Sequence, residues 1–233
     1  MKQKIAVIIY GPPGSGKGTQ SKLLADKFNF FHFDTGDFLR SIFYGSMKID
    51  VNKKEFEKEK KLNESGKLNT PSWIFKIVSD KVKSISELGH SVILSGSPRT
   101  LYEAFGNKTN NGLIHLLTEK YGKKNIFNLV LEIPERESIK RNSHRIVCSV
   151  CKTPLLGQVS SVKCQMSACP FCGGKLEHRK DDKKEVIIGR LKEYRAMTKP
   201  IFKELKKRKF KIIKINGISA PYKVHQQIIK YFK

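Results

Sequence analysis

Residues 11–19 read Gly-Pro-Pro-Gly-Ser-Gly-Lys-Gly-Thr. Gly11, four residues, then Gly16 and Lys17 give the G-x-x-x-x-G-K spacing of a phosphate-binding P-loop. Glycine is needed because the backbone must curl until successive N–H groups point at phosphate oxygens. A helix starting here adds partial positive charge, and Lys17 reaches the terminal phosphates. Gly18 stands where most P-loops carry Ser or Thr, and the hydroxyl follows at Thr19. Gly14, Ser15, Gly16, Lys17, Gly18 and Thr19 are therefore the expected triphosphate cradle. A second constellation is Cys148-x-x-Cys151, 17 intervening residues, then Cys169-x-x-Cys172. That spacing is a two-knuckle zinc pattern. Four thiolates leave the metal no open position, so the zinc would be structural and would fold a segment with little core of its own. Disulfide pairing in an oxidised protein is the alternative. Cys164 and His178 are close by, but neither fits the paired spacing.

These groups need a scaffold. Lys4–Tyr10 (KIAVIIY) is a continuous apolar run suited to a buried parallel strand, and a helical pattern through Leu23, Leu24 and Phe28 comes after the glycine turn. Further short strands are predicted around Phe30–Phe33, Ser91–Leu94, Phe127–Glu132 and Phe210–Ile215, with helical segments between. The expected fold is therefore α/β: a doubly wound, five-stranded parallel sheet covered on both faces. Residues 35–69 interrupt the alternation with a helical, polar Lys/Glu/Asn insert. Residues 141–182 interrupt it again with the cysteines, two prolines and three glycines. The core is then 1–34, 70–140 and 183–233.

The chain has 233 residues, 46 Lys and Arg against 21 Asp and Glu, and a net charge of +25. Such an excess attracts polyanions, nucleic acid among them. The lysines are scattered, however, and interleaved with Glu55, Glu57 and Glu59 or with apolar residues, so a solvated surface is the favoured reading over a nucleic-acid face. No apolar run approaches the ~18–20 residues of a membrane span. Ile5–Tyr10 is shorter than the ~7–15 residues of a signal-peptide core. Unsecreted paired cysteines and the missing span predict a cytoplasmic location.

The Gly-Pro-Pro-Gly-Ser-Gly-Lys-Gly-Thr-Gln run resembles that of nucleoside monophosphate kinases, and the chain resembles adenylate kinases from end to end. Their T-G-D-x-L-R block stands at Thr35-Gly36-Asp37-Phe38-Leu39-Arg40, and G-K-L at Gly66-Lys67-Leu68-Asn69. G-F-P-R-T appears as Gly96-Ser97-Pro98-Arg99-Thr100. R-x-D-D and R-L appear as Arg179-Lys180-Asp181-Asp182 and Arg190-Leu191, and Ile215-Asn216-Gly217 stands at the family's V-D-G. The resemblance implies a P-loop core, a monophosphate-binding insert, a zinc-bearing lid, and Mg²⁺-dependent transfer of a phosphoryl group from ATP to AMP by a monomer.

By the same resemblance, six of the nine arginines face nucleotide: Arg40, Arg99, Arg141, Arg145, Arg179 and Arg190. Guanidinium offers a planar fork for phosphate oxygens that ammonium cannot copy. Arg40 and Arg99 would hold the acceptor phosphate. Arg145, Arg179 and Arg190 would converge with Lys17 on the transferring group, and Arg141 would lie against the ATP base near Gly217. Thr35, Gly36, Lys67, Leu68, Asn69, Gly96 and Glu103 complete the implied AMP site. Asp37 would reach Mg²⁺ through water.

Three positions depart from the family pattern. The family usually has Asp before the G-F-P-R block, toward Mg²⁺, and here that residue is Ser95. A hydroxyl bonds metal-bound water but brings no charge, so weaker Mg²⁺ binding is expected. Ser97 replaces an apolar Phe, and Glu103 replaces a base-reading Gln. A weakly active or non-catalytic nucleotide-binding protein, RNA-associated or not, and a nucleoside monophosphate kinase with another acceptor base therefore remain alternatives.

Overall fold

The computed structural model describes residues 4–45, 52–151, 153–156, 168–178 and 182–232. Arg179 and Cys164 lie outside them. β1 (Ala6–Tyr10) is buried along its whole length. Ala6, Ile8 and Tyr10 face one core, while Val7 and Ile9 face the other. A strand buried on both faces must be apolar at every position, which is why its sequence does not alternate. β2 (Phe31–Asp34), β3 (Val92–Ser95), β4 (Ile126–Glu132) and β8 (Ile212–Asn216) join it in the order β2-β3-β1-β4-β8. Every pairing in this sheet is parallel. The five expected strands are thus present, most displaced one or two residues toward the C-terminus.

The chain leaves β1 for one edge of the sheet and later returns to build the other side. The reversal opens a crevice at the carboxyl end of β1, where open parallel sheets bind their ligands. α1 (Lys17–Phe28) starts in that crevice. α4 (Pro71–Glu87) and α6 (Leu113–Tyr121) cover one face, and α1 with α10 (Pro221–Ile229) covers the other.

α2 (Thr35–Tyr44) and α3 (Lys53–Glu64) occupy the stretch expected to be a helical insert. α5 (Leu101–Phe105) comes directly after the Gly96–Thr100 block. Beyond α7 (Glu135–Ser143), the cysteine segment forms its own antiparallel sheet, β6-β5-β7, in which β5 is Arg145–Cys148, β6 is Pro154–Leu156 and β7 is Leu176–His178. α8 (Lys184–Glu193) then runs through a π turn at Tyr194–Thr198 into α9 (Lys199–Lys207). A π turn widens the helix by one residue and rotates the helical face beyond it. Here Thr198 donates to the Arg99 carbonyl at 2.9 Å and so ties this helix to the Gly96–Thr100 loop. Among the described residues, no helix is long and apolar enough to cross a membrane.

Candidate active site

The loop between β1 and α1 curls as its glycines require. Gly14 and Gly16 have φ of 73° and 92°, in the left-handed region, and Ser15 N–H closes on Pro12 O at 3.2 Å. A side chain at Gly14 would meet Asn142 Nδ2 at 2.5 Å, so the loop also needs glycine for space. Lys17 begins α1 and folds back, its Nζ donating to Gly11 O at 2.8 Å and Pro12 O at 2.9 Å. Gly18 and Thr19 continue the first turn of α1.

Other cations gather here. Burial pushes the Lys17 ammonium down to about 7, and the nearby positive charges of Arg99, Arg190 and Arg145 push the same way, against Asp34. These cations come from four elements: α1, the loop after β3, β5 and α8. Like charges held together in a folded protein cost free energy and are tolerated where a polyanion offsets them. Arg145 is anchored by Asp182, with Nε donating to Oδ2 at 2.8 Å. In the sequence Asp182 stands out only as part of the R-x-D-D block, and this bond gives it its task. Arg179 lies outside the described residues.

Arg141, on α7, clamps the P-loop to the loop after β8. Its Nη1 donates to Gly217 O at 2.9 Å and Gly14 O at 3.4 Å, its Nη2 to Ile218 O at 2.8 Å, and its Nε to Glu137 at 2.6 Å. Gly217 packs so closely on the P-loop that a Cβ would lie 3.2 Å from Ser15 O. Gly217, Arg141 and the P-loop therefore form one wall.

On the opposite side, Gly96 (φ 90°) brings the second group of expected residues together. A Cβ there would sit 3.2 Å from Arg99 Nη2, 3.5 Å from Thr35 Cβ and 3.7 Å from Gly36 N. Arg99 Nε donates to Gly96 O at 2.7 Å, and Thr35 donates to Ser97 Oγ at 3.0 Å. Arg40 bonds Asp37 one turn earlier in α2. Leu68 N–H meets Glu193 Oε1 at 3.4 Å, and Lys67 N–H closes the turn after α3 on Leu62 O at 3.1 Å.

Two residues have local tasks that sequence reasoning did not assign. Asn69 is buried, its Nδ2 donating to Glu59 O at 2.7 Å and Glu59 Oε2 at 2.9 Å, so its side chain holds the insert together. Glu103 is buried as well. It accepts from Arg99 N–H at 2.9 Å and Thr100 Oγ1 at 3.1 Å, while its own N–H donates to Thr100 Oγ1 at 3.1 Å. Thr100 is thus the N-cap of α5, and Glu103 at N3 reaches back one residue beyond the N–H of a standard capping box, to Arg99. Burial raises the Glu103 carboxyl above its ordinary range, against its bond from Arg99 N–H and the Arg99 charge.

A carboxylate that sequence reasoning missed stands at the end of β2. Asp34 Oδ2 accepts from Ser95 Oγ at 2.7 Å, and Asp34 Oδ1 accepts from Asp37 N–H at 2.8 Å, capping α2. His32 Nε2 meets the same Ser95 Oγ at 2.9 Å. Burial opposes charge on Asp34, but the bonds from Ser95 and Asp37 N–H, with His32 and Arg40 nearby, hold its carboxyl below the usual range. Asp34 and the Ser95 hydroxyl thus place oxygen donors beside the start of α1, with the exposed Asp37 carboxylate on α2 bonded to Arg40, and oxygen is the ligand chemistry that Mg²⁺ prefers.

In the small sheet, the four Sγ atoms of Cys148, Cys151, Cys169 and Cys172 lie within 4.8 Å of one another. The separations are 3.4 Å for Cys148–Cys172 and 3.7 Å for Cys151–Cys169. A tetrahedral zinc with bonds of about 2.3 Å sets sulfurs about 3.8 Å apart, whereas a disulfide needs about 2 Å. Val150 and Cys151 N–H groups point at Cys148 Sγ, at 3.3 and 3.4 Å, and favour its thiolate. Gly174 is required here, because a Cβ would lie 2.9 Å from that sulfur. The donor set fits zinc.

The family model described as adenylate kinase matches residues 9–210. The chain belongs to the adenylate kinase family. It is 33% identical to the adenylate kinase of Methanothrix thermoacetophila over 224 residues, 96% of each chain. It is 32% identical to that of Borreliella burgdorferi over 222 residues, covering 95% of this chain and 94% of the relative. It is also 29% identical to that of Clostridium tetani over 222 residues, 95% of each chain. Membership makes the chain a nucleoside monophosphate kinase, a phosphotransferase with an ATP-binding P-loop, and its zinc-type cysteine cluster is consistent with that family.

Proposed function

We propose that this member of the adenylate kinase family catalyses ATP + AMP ⇌ 2 ADP, with Mg²⁺ accompanying ATP. The observation that carries the reading is that the charges of Arg99, Arg145 and Arg190, from three other elements, all act on Lys17 at the P-loop. A protein that only bound ATP would need the loop alone. Cations arriving from the acceptor side and the lid side as well suit charge stabilisation on a phosphoryl group in transit.

In this reading, N–H groups of Gly14–Thr19 cradle the ATP phosphates and Lys17 leaves its carbonyl partners for them. Arg141 and Gly217 wall the ATP base. Thr35, Gly36, Arg40, Lys67, Leu68, Gly96 and Arg99 surround AMP, with Asn69 and Glu103 shaping that side from beneath. Arg145, Arg179 and Arg190 close over the transferring group as the lid folds down, which also excludes water and prevents hydrolysis. Bound Mg²⁺ would neutralise phosphate charge, with Asp37 among the groups able to order its waters. The core of 1–34, 70–140 and 183–233 carries the acceptor-side insert at 35–69 and the lid at 141–182. Zinc on Cys148, Cys151, Cys169 and Cys172 is structural. The protein works as a cytoplasmic monomer, where thiolate ligands stay reduced.

Glu103 keeps the acceptor base open, because a carboxyl does not present the donor of an amide. Assays of MgATP with AMP, GMP, CMP, UMP and their deoxy forms test the reading. AMP should be the best acceptor by at least about tenfold in kcat/KM, as expected where buried polar groups are left unpaired by the wrong base. Preference for another base would reassign the acceptor, and transfer to none of them would contradict the reading.

A second expected result concerns protons. Lys17 titrates at about 7 in the free protein. Bound triphosphate raises that value toward and beyond the ordinary one, since an adjacent anion favours the ammonium. Above pH 7, ATP binding should therefore take up a proton, up to about one per site near pH 8.5, and below pH 7 it should take up little. Calorimetry of MgATP binding in buffers of different ionisation enthalpy measures this directly. Equal apparent enthalpies in all buffers at pH 8.5 would contradict it.

A further inference from the structure

The loss of Asp at position 95 looks from the sequence like a missing charge on the metal side. In the fold the charge is present on the neighbouring strand. β2 and β3 pair in parallel with Asp34 directly opposite Ser95. Asp34 Oδ2 is 2.7 Å from Ser95 Oγ, so a carboxylate lies within one hydrogen bond of the side chain that replaced one. We propose that Asp34 is the residue that orders the water shell of the nucleotide's Mg²⁺ in this chain, taking over on β2 the charge its relatives carry at the end of β3. The proposal rests on the ATP-site reading above.

Three observations support it. The carboxylate faces the P-loop helix: Oδ2 lies 4.0 Å from where a Cβ on Gly18 would be, and its charge is felt by Lys17. It is also fixed in place. The Ser95 hydroxyl has one hydrogen, which goes to Asp34, so His32 Nε2 must be the donor to Ser95. The chain His32–Ser95–Asp34 therefore orients one oxygen, and Asp37 N–H orients the other at 2.8 Å. Finally, capacity remains. Each carboxylate oxygen can accept two hydrogen bonds, and each has been given one here, so both can still accept from metal-bound water.

The pairing also predicts that one carboxylate and one hydroxyl are needed, in either order. Two carboxylates at hydrogen-bond distance repel, and one of them would take up a proton. Restoring Asp at 95 alone should therefore bring little gain, whereas exchanging the two residues should preserve the site.

A plain helix cap is the alternative role for Asp34, and Asp34→Asn separates the two. Asn caps about as well as Asp but has no charge. The probe is Mn²⁺, titrated into the complex of the full chain with ADP and followed by electron paramagnetic resonance; metal-free ADP affinity and thermal melting are measured alongside. Asp34→Asn should weaken Mn²⁺ binding about tenfold, with melting and metal-free ADP affinity little changed, because the charge is lost while the oxygen capping Asp37 N–H is kept and the amide nitrogen can donate to the Ser95 hydroxyl where the carboxylate accepted from it. The double exchange Asp34→Ser with Ser95→Asp should return the Mn²⁺ affinity to within about threefold of the parent, since the charge is restored one strand away. Asp37→Asn, which removes a carboxylate already bonded to Arg40, should shift it less. Unchanged Mn²⁺ affinity in Asp34→Asn, a larger loss in Asp37→Asn, or a double exchange no better than Asp34→Ser would each overturn the proposal. Failure of the parent chain to bind ADP would instead overturn the nucleotide reading, and this proposal with it.

Discussion

Lys17→Met should lower phosphoryl transfer by roughly 10²–10³, the usual cost of removing one fixed donor from a developing negative charge. The same substitution should leave the free protein at least as stable as the parent. The sign comes from the depressed value of about 7, which means that the folded state disfavours the charged ammonium relative to the unfolded chain. That cost is full below about pH 7, shrinks as pH rises from there because the folded lysine goes neutral first, and is gone above the ordinary lysine value. Methionine removes the charge and keeps most of the stem. Steady-state kinetics and thermal melting at pH 7.5 check both halves. Near-parental turnover would remove Lys17 from the mechanism, and a large loss of stability would show it to be structural. Arg99→Ala should give a similar loss of rate.

Cys148→Ser should have the second largest effect, on the lid. The purified parent is expected to hold about one Zn²⁺ per chain, because thiolate sites of this type bind structural zinc with apparent free energies of about 10–16 kcal/mol. The small sheet β6-β5-β7 encloses the cysteines and contributes few side chains to the main core. Its folding should therefore depend on the metal. The variant should lose the zinc and the amide-exchange protection of β5, β6 and β7, while α1, β1 and β4 stay protected. Transfer should fall as well, since Arg145 begins β5. Zinc analysis and hydrogen exchange read both effects. Protein prepared without chelators that contains no zinc and titrates as four free thiols would contradict the assignment.

The parts of this site set by the local chain were legible in the sequence. The P-loop, the cysteine knuckles and the arginines are residue types that their chemistry admits few substitutes for, and β1 announces itself by burial on both faces. Residues whose role depends on register were not legible. Asp34 and Ser95 are separated by 61 positions and meet only because β2 and β3 pair without offset. His32, by sequence an ordinary histidine, belongs to the same chain of bonds. Glu103 is a different lesson: the run Thr100-Leu101-Tyr102-Glu103 carries the spacing of a capping box, a local signal that the chain itself displays. Its place at a base-reading position points toward nucleotide instead, and the two signals compete. The strands of the small sheet are three or four residues long, too short to show a period.

The central claim is direct transfer between two bound nucleotides, and tracing labelled phosphate through one turnover tests it most directly. ATP carrying ³²P at the γ position is mixed with AMP, Mg²⁺ and an excess of the protein, quenched, and the products are separated. The label should appear in the β-phosphate of ADP formed from AMP, with inorganic phosphate at the level of a protein-free control. Label recovered only as ATP, or released as inorganic phosphate without entering ADP, would contradict it.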